Sequence, residues 1–199
     1  MAVQGAGRGG FAVLAATMIL AGCGRNETEA PAPAPPPAAA APVEESATIR
    51  PVVITPEGVG PLRIGMTEVE ARAALGADMT DDNAADAGAC RELPLAGALR
   101  GVRVMLQGGR VTRLTITPDS PLQTENGLGV GAKEAQVRSA YGAAVQATPQ
   151  KYVEPSAQYL VVYDTRTDRG LRFETDVLRT VTAIQAGTGE AINLVEGCS

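Results

Sequence analysis

The chain has 199 residues, with 17 Lys and Arg against 22 Asp and Glu and a formal net charge of −5. That balance supplies no basic footprint, so nucleic acid is excluded as a partner. The sequence holds no His, which removes Ser-His and Cys-His nucleophilic catalysis, most zinc sites and the usual general base. No metal or cofactor is expected.

Residues 1–22 read as a lipoprotein signal peptide. Arg8 is the single charge ahead of an apolar run over 11–21, too short to span a bilayer but suited to a secretory h-region. Leu20-Ala21-Gly22-Cys23 then places small residues before a cysteine. The Cys23 thiol is expected to carry a diacylglyceryl group and to become the first residue of the mature chain. Each buried acyl CH₂ contributes roughly 0.8 kcal/mol, so two or three chains hold where one is marginal. Gly24, in place of the Asp associated with inner-membrane retention, favours an outer-membrane lipoprotein facing the periplasm. Inner-membrane retention and surface display are the other placements.

Residues 23–49 join the lipidated Cys to a Pro/Ala-rich linker containing Ala30-Pro31-Ala32-Pro33-Ala34-Pro35-Pro36-Pro37. It has no apolar periodicity, and its prolines favour extended polyproline II, so it reads as a disordered, semi-rigid spacer. At ~3.1 Å per residue it reaches roughly 80 Å when fully extended.

Residues 50–199 suffice for one well-buried core. Once Cys23 is lipidated, Cys90 and Cys198 remain as an even pair in an oxidising compartment, and a Cys90–Cys198 disulfide is expected. Sliding this region so that Leu62 falls on Leu128 reveals a repeat. Leu62-Arg63-Ile64-Gly65-Met66-Thr67-Glu68 and its continuation to Gly76 match the stretch from Leu128 to Gly142 at about half of the positions. The copies span 52–118 and 121–187.

Each copy opens with a helix. Thr67-x-x-Glu70 is a capping box and Gly76 a stop, with Met66, Val69 and Ala73 on one face. The second copy keeps Gln136 and Gly142 but has Lys133 at the cap. Strands follow. Val102, Val104 and Leu106 share a face, Gly108-Gly109 makes a two-residue hairpin turn, and Leu114 and Ile116 lie on the return. In the second copy Tyr159, Val161 and Tyr163 share a face, Leu171 and Phe173 mark the next strand, and 181–184 return. Alternation at Ile192 and Leu194 predicts a C-terminal strand leading to Cys198. The fold class is α+β: two tandem helix-plus-antiparallel-sheet repeats with the helices packed on one sheet face.

Chemistry-bearing clusters are few. Asp78, Asp81, Asp82, Asn83 and Asp86 lack the oxygen spacing of a calcium loop and read as a solvated loop. Gly127-x-Gly129-x-x-Ala132 follows no apolar strand and reads as a turn into the helix rather than a dinucleotide site. Lys133 and Lys151 sit in no recognisable nucleophile motif with Ser139 or Ser156. The tyrosines stand out, because every aromatic beyond Phe11 lies in the second copy. Tyr141 and Phe173 suit the core. Tyr159 and Tyr163, aided by Lys151 and Tyr152, form either a platform for a sugar ring or partner side chain, or part of a sheet face buried by the helices.

Ile64-Gly65-Met66-Thr67-x-x-Glu70, with the Leu75-Gly76 stop and a following hairpin, resembles the small outer-membrane lipoproteins of the β-barrel assembly machine and the tandem β-lactamase-inhibitory proteins. That resemblance implies helix-then-sheet units. Gly127-Leu128-Gly129-Val130-Gly131, Lys151-Tyr152, Gly170-Leu171-Arg172-Phe173-Glu174 and Val195-Glu196-Gly197-Cys198 resemble a family of uncharacterised bacterial envelope proteins, some labelled lectins. The sequence thus points to a non-enzymatic, lipid-anchored module with a membrane attachment and an envelope protein as partner. The alternative is a carbohydrate- or cell-wall-binding, lectin-like lipoprotein with a glycan as partner.

Overall fold

Val53-Ile54-Thr55 is a β-branched run that stops at the turn Pro56-Glu57, and it forms the first strand, β1 (Val53–Thr55). The computed structural model describes residues 52–79, 89–153 and 156–198. The signal peptide, Cys23, the linker and the acidic positions Asp81, Asp82, Asn83 and Asp86 lie outside the described residues. No described helix is long and apolar enough to cross a membrane.

The architecture is mixed α+β and mostly β. After β1 come β2 (Gly58–Val59), β3 (Leu62–Arg63) and α1 (Glu68–Leu75), then β4 (Cys90–Pro94), β5 (Val102–Gln107), β6 (Arg110–Ile116) and β7 (Gln123–Thr124). The chain continues through α2 (Glu134–Tyr141), β8 (Val145–Pro149), β9 (Gln158–Asp164), β10 (Arg169–Thr175), β11 (Val181–Gly187) and α3 (Gly189–Asn193). A small sheet has the order β3-β2-β1-β7, and a seven-stranded sheet the order β4-β5-β6-β11-β10-β9-β8. Every pairing in the larger sheet is antiparallel.

Register separates its two faces. Leu93, Val104, Leu114, Ala186, Leu171, Val162 and Val145 form one unbroken cross-strand row. Most of that row, with Ile116, Phe173, Ile184 and Leu160, belongs to one buried cluster that also holds Ala71 of α1 and Val137 of α2. The Tyr141 ring meets Phe173 at 5.8 Å between centroids, as the core reading of both aromatics requires. In α1 the burial differs from the predicted face: Val69 is 78% exposed and Ala73 is exposed, while Ala71 is buried and Met66 and Leu75 pack on the cluster. Ala71 and Leu75 are one helical turn apart, and Val69 falls on the far side of the helix.

The two hairpins carry the same irregularity. Leu106 pairs with Val111 and Met105 with Arg113, so Thr112 is an extra residue. Thr175 pairs with Val181 and Glu174 with Ala183, so Thr182 is extra in the same way. Each bulge lets residues three apart, Val111 with Leu114 and Val181 with Ile184, reach the apolar cluster together. Gly108 and Gly109 sit at φ 55 and 75, the left-handed pair that a type I′ turn demands.

The helix entries also coincide bond for bond. Gly65 N–H donates to Val111 O, Val111 N–H to Met66 O and Glu68 N–H to Gly109 O. In the second half Gly131 N–H donates to Val181 O, Val181 N–H to Ala132 O and Glu134 N–H to Arg179 O. Thr67 closes a full capping box, accepting from Glu70 N–H at 3.3 Å while Glu70 accepts from Thr67 N–H at 2.8 Å. At α2 half of the box survives, with Gln136 accepting from Lys133 N–H at 2.8 Å. The Lys133 ammonium has no lone pair to cap with, and it donates instead to Thr180 Oγ1 at 2.6 Å. Thr67→Ala is therefore expected to cost about 1 kcal/mol in urea unfolding, and Lys133→Ala no more than about 0.5 kcal/mol.

The C-terminal strand is corrected to a helix. Thr188 accepts from Ala191 N–H at 3.3 Å and starts α3, whose Ile192 is fully buried. An N-cap threonine followed by Gly and Glu outweighs two apolar residues at even spacing.

Candidate functional site

The face opposite the apolar row is polar and partly roofed by the C-terminal segment. Its cross-strand row runs Glu92, Met105, Arg113, Gly187, Gly170, Tyr163. The two glycines leave a flat seat, where an added Cβ would lie 3.2 Å and 3.1 Å from Ile192 atoms. Ile192 occupies that seat and docks α3 on the sheet. Arg113 fixes the turn segment that follows, donating to Ala191 O at 3.0 Å, to Leu194 O at 2.7 Å and to Glu92 at 2.5 Å. The Cys90–Cys198 disulfide then ties the last described residue to β4, with Cα atoms 5.4 Å apart. The segment thus crosses from Tyr163 on β9 to Cys90 on β4.

Under and beside this strap lies a second polar cluster. Arg172, 2% exposed, donates to Gln185 Oε1 at 2.9 Å and to Glu174 Oε1 at 2.5 Å. Gln185 adds a bond to the same Glu174 oxygen at 2.8 Å. The Arg172 guanidinium sits 4.6 Å from the centre of the Tyr159 ring.

Between α3 and the outermost strands opens a groove of about 500 Å³ lined by Gln146, Thr148, Val161, Tyr163, Gly189, Glu190 and Asn193. Gln146 and Thr148 come from the same side of β8, because side chains alternate along a strand. Asn193 is oriented by a bond from its Nδ2 to Gly189 O at 2.7 Å. At the groove end the Tyr163 hydroxyl donates to Asp168, which also accepts from Gly189 N–H at 3.1 Å. A side chain at Gly189 would collide with Tyr163, its Cβ lying 2.6 Å from the hydroxyl. Comparison with protein-family models, with curated proteins and with solved structures finds no match.

The four residues singled out from sequence fall in separate surroundings. Tyr163 lines the groove. Tyr159 shares its strand face but is 9% exposed, with Arg172 over its ring, so it offers no open platform. Lys151 lies 3.4 Å from Glu196 and 4.9 Å from the centre of the Tyr152 ring, and Tyr152 is 63% exposed. Lys151 and Asn193 line a neighbouring depression together with 194–197. The tyrosines lie on the face away from Ala71 and Val137, where α3 packs instead of α1 or α2. Glu190 and Asn193 were not picked out from sequence, because 192–194 read as a strand; the helix-start signal at Thr188 is what locates them.

The Asp168 hydrogen bond raises the Tyr163 phenol above its ordinary value of about 10, and the same bond, with Gly189 N–H, lowers Asp168. The sign for Tyr163 is that of a raised pKa: its contribution is complete below the unfolded value and is lost as pH rises through the folded one. For Asp168 the contribution is present above the unfolded value and is lost as pH falls through the folded one. Asp168→Asn is expected to return the Tyr163 titration, followed by near-ultraviolet absorbance, toward its ordinary value. An unchanged midpoint would rule out this bond as the cause.

Proposed function

We propose that the protein is a non-catalytic binding module of the cell envelope, anchored through lipid on Cys23 at the outer membrane and directed to the periplasm. Its folded part is a tandem duplication of a helix-plus-antiparallel-sheet unit with both helices on one sheet face. The matched helix-entry bonds and the paired bulges at Thr112 and Thr182 support the duplication. The arrangement is in keeping with the resemblance to the assembly-machine lipoproteins and the β-lactamase-inhibitory proteins.

The observation that carries the binding reading is the groove between α3 and β8, which opens beside a sheet edge and sets polar side chains around Val161. Its partner is an envelope protein. A second reading, a cell-wall glycan, draws on the amides of Gln146 and Asn193, the Thr148 hydroxyl and the Glu190 carboxylate around Tyr163. Those groups suit sugar hydroxyls.

Full-length protein in detergent, crosslinked to envelope extract, tests both against a Thr148→Arg, Asn193→Arg variant. A protein captured by the parent and lost from the variant supports the module. Saturable binding of peptidoglycan fragments, lost in the same variant, selects the glycan reading. Neither result in a correctly oxidised protein overturns the proposal.

A further inference from the structure

Resting on the envelope-protein reading, we propose that the partner docks by strand addition: an extended segment carrying a basic side chain pairs with β8 and extends the seven-stranded sheet, its basic group directed to Glu190.

The two edges of that sheet are treated differently. Beside β4, Leu95 is bridged by Met79 and Ala96 N–H donates to Asp78 O, so the end of that edge is already occupied. β4 also carries Arg91 and Glu92 and is pinned by the disulfide at Cys90. β8 reads Val145-Gln146-Ala147-Thr148-Pro149, without a charge, and its last four residues are exposed. It pairs with β9 and with no second strand among the described residues. An open, uncharged edge is what natural sheets ordinarily avoid.

The hydrogen-bond phase of the edge follows from one bond. Gln150 N–H donates to Ala157 O, which continues the β8–β9 register as a hydrogen-bonded pair. Alternation then turns the main-chain groups of Gln146 and Thr148 toward β9 and those of Val145, Ala147 and Pro149 outward. Pro149 has no N–H to waste there. Val145 N–H is already given to Gly142 O. The outer edge therefore offers one donor, Ala147 N–H, and three acceptors, the carbonyls of Val145, Ala147 and Pro149.

That pattern argues against a second copy of the chain. Two β8 strands paired about Ala147 would exchange the Ala147 bonds, but would set Val145, whose N–H is spent, against Pro149, which has none. A foreign strand with free N–H groups satisfies all three carbonyls and the donor. Strand addition takes its affinity from such main-chain bonds and its specificity from alternate side chains. The side chains of an added strand on the Gln146 and Thr148 side face the groove, where Glu190 has no cationic partner among the described residues. A Lys or Arg there meets an unneutralised carboxylate.

The test uses full-length protein in detergent and a fluorescent probe peptide, acetylated Val-Lys-Val-Lys-Val-Lys-Val amide. The expected result is saturable binding with slowed exchange of the Ala147 amide. Ala147→Pro, which removes the outward donor, and a probe N-methylated at alternate residues should each weaken binding about tenfold or more. Ala147→Thr, which keeps the N–H, should bind like the parent, and an intact disulfide with parental circular dichroism checks folding. Absence of saturable binding, or binding that Ala147→Pro leaves unchanged, overturns strand addition. A protein dimer abolished by Ala147→Pro would also overturn it by naming a second copy as occupant. If Ala147→Pro still captures the envelope partner in the crosslinking experiment, strand addition fails while the module stands.

Discussion

Serine at both Cys90 and Cys198 is expected to lower the unfolding free energy by about 4–5 kcal/mol. The two cysteines are 108 positions apart. A cross-link of that span removes a large share of the unfolded chain's freedom, because loop-closure entropy grows with the logarithm of loop length. The native state loses an anchor as well. Without the link, the strap is held by Ile192 on the Gly170–Gly187 seat and by the Arg113 bonds to Ala191 O and Leu194 O. Urea unfolding of the oxidised parent and the double variant measures the difference. Exchange of the Ile192 amide, which donates to Thr188 O, reports whether α3 stays docked. A loss below about 1 kcal/mol would sink the argument, since it would mean that the unfolded chain is already as restricted as the cross-linked one.

The disulfide was readable from cysteine count and compartment, and the hairpin at Gly108-Gly109 from alternation around two glycines. Those signals are local and strong. The four-stranded sheet was not readable, because β2, β3 and β7 are each two residues long, a single period of side-chain alternation with no repeat to recognise. β8 escaped for another reason. An edge strand exposed at Gln146, Ala147, Thr148 and Pro149 has no apolar stripe to mark it, and its pairing is dictated by β9 rather than by its own composition. The alternation of Tyr159, Val161 and Tyr163 was legible, but which face they occupy was not. Period two separates the faces without saying which one meets the core. Leu160, fully buried and opposite Phe173, decides that in the fold. The groove depends on α3, and Ile192 with Leu194 imitates a strand until the Thr188 cap is weighed against it.

Arg172→Met is the second large effect, expected at about 3–4 kcal/mol. The guanidinium is nearly inaccessible and serves three partners: the Gln185 amide oxygen, the Glu174 carboxylate and the Tyr159 ring. Methionine keeps much of the volume and removes the charge. Glu174 then retains the Gln185 amide as its neighbour but loses the cation that offsets its partial burial, while Gln185 Oε1 loses its donor. Leaving one member of a buried pair without its counterpart costs more than the intact pair contributes. Glu174→Gln in the parent should cost about 1–2 kcal/mol, because the arginine is then the stranded charge. Added to Arg172→Met, the same change should cost almost nothing further, giving a coupling of about 1–2 kcal/mol in a double-mutant cycle. Strictly additive losses would show that the two side chains act independently and that the apparent pair does not stabilise the sheet. The cycle bears on the groove too. Tyr159 pairs in register with Thr148 of β8, so loosening the Tyr159 ring beneath Arg172 frees the strand that lines the groove and carries the open edge. Amide exchange along 145–149 should therefore quicken in Arg172→Met and recover little in the double variant, since the ring contact depends on the cation and not on Glu174.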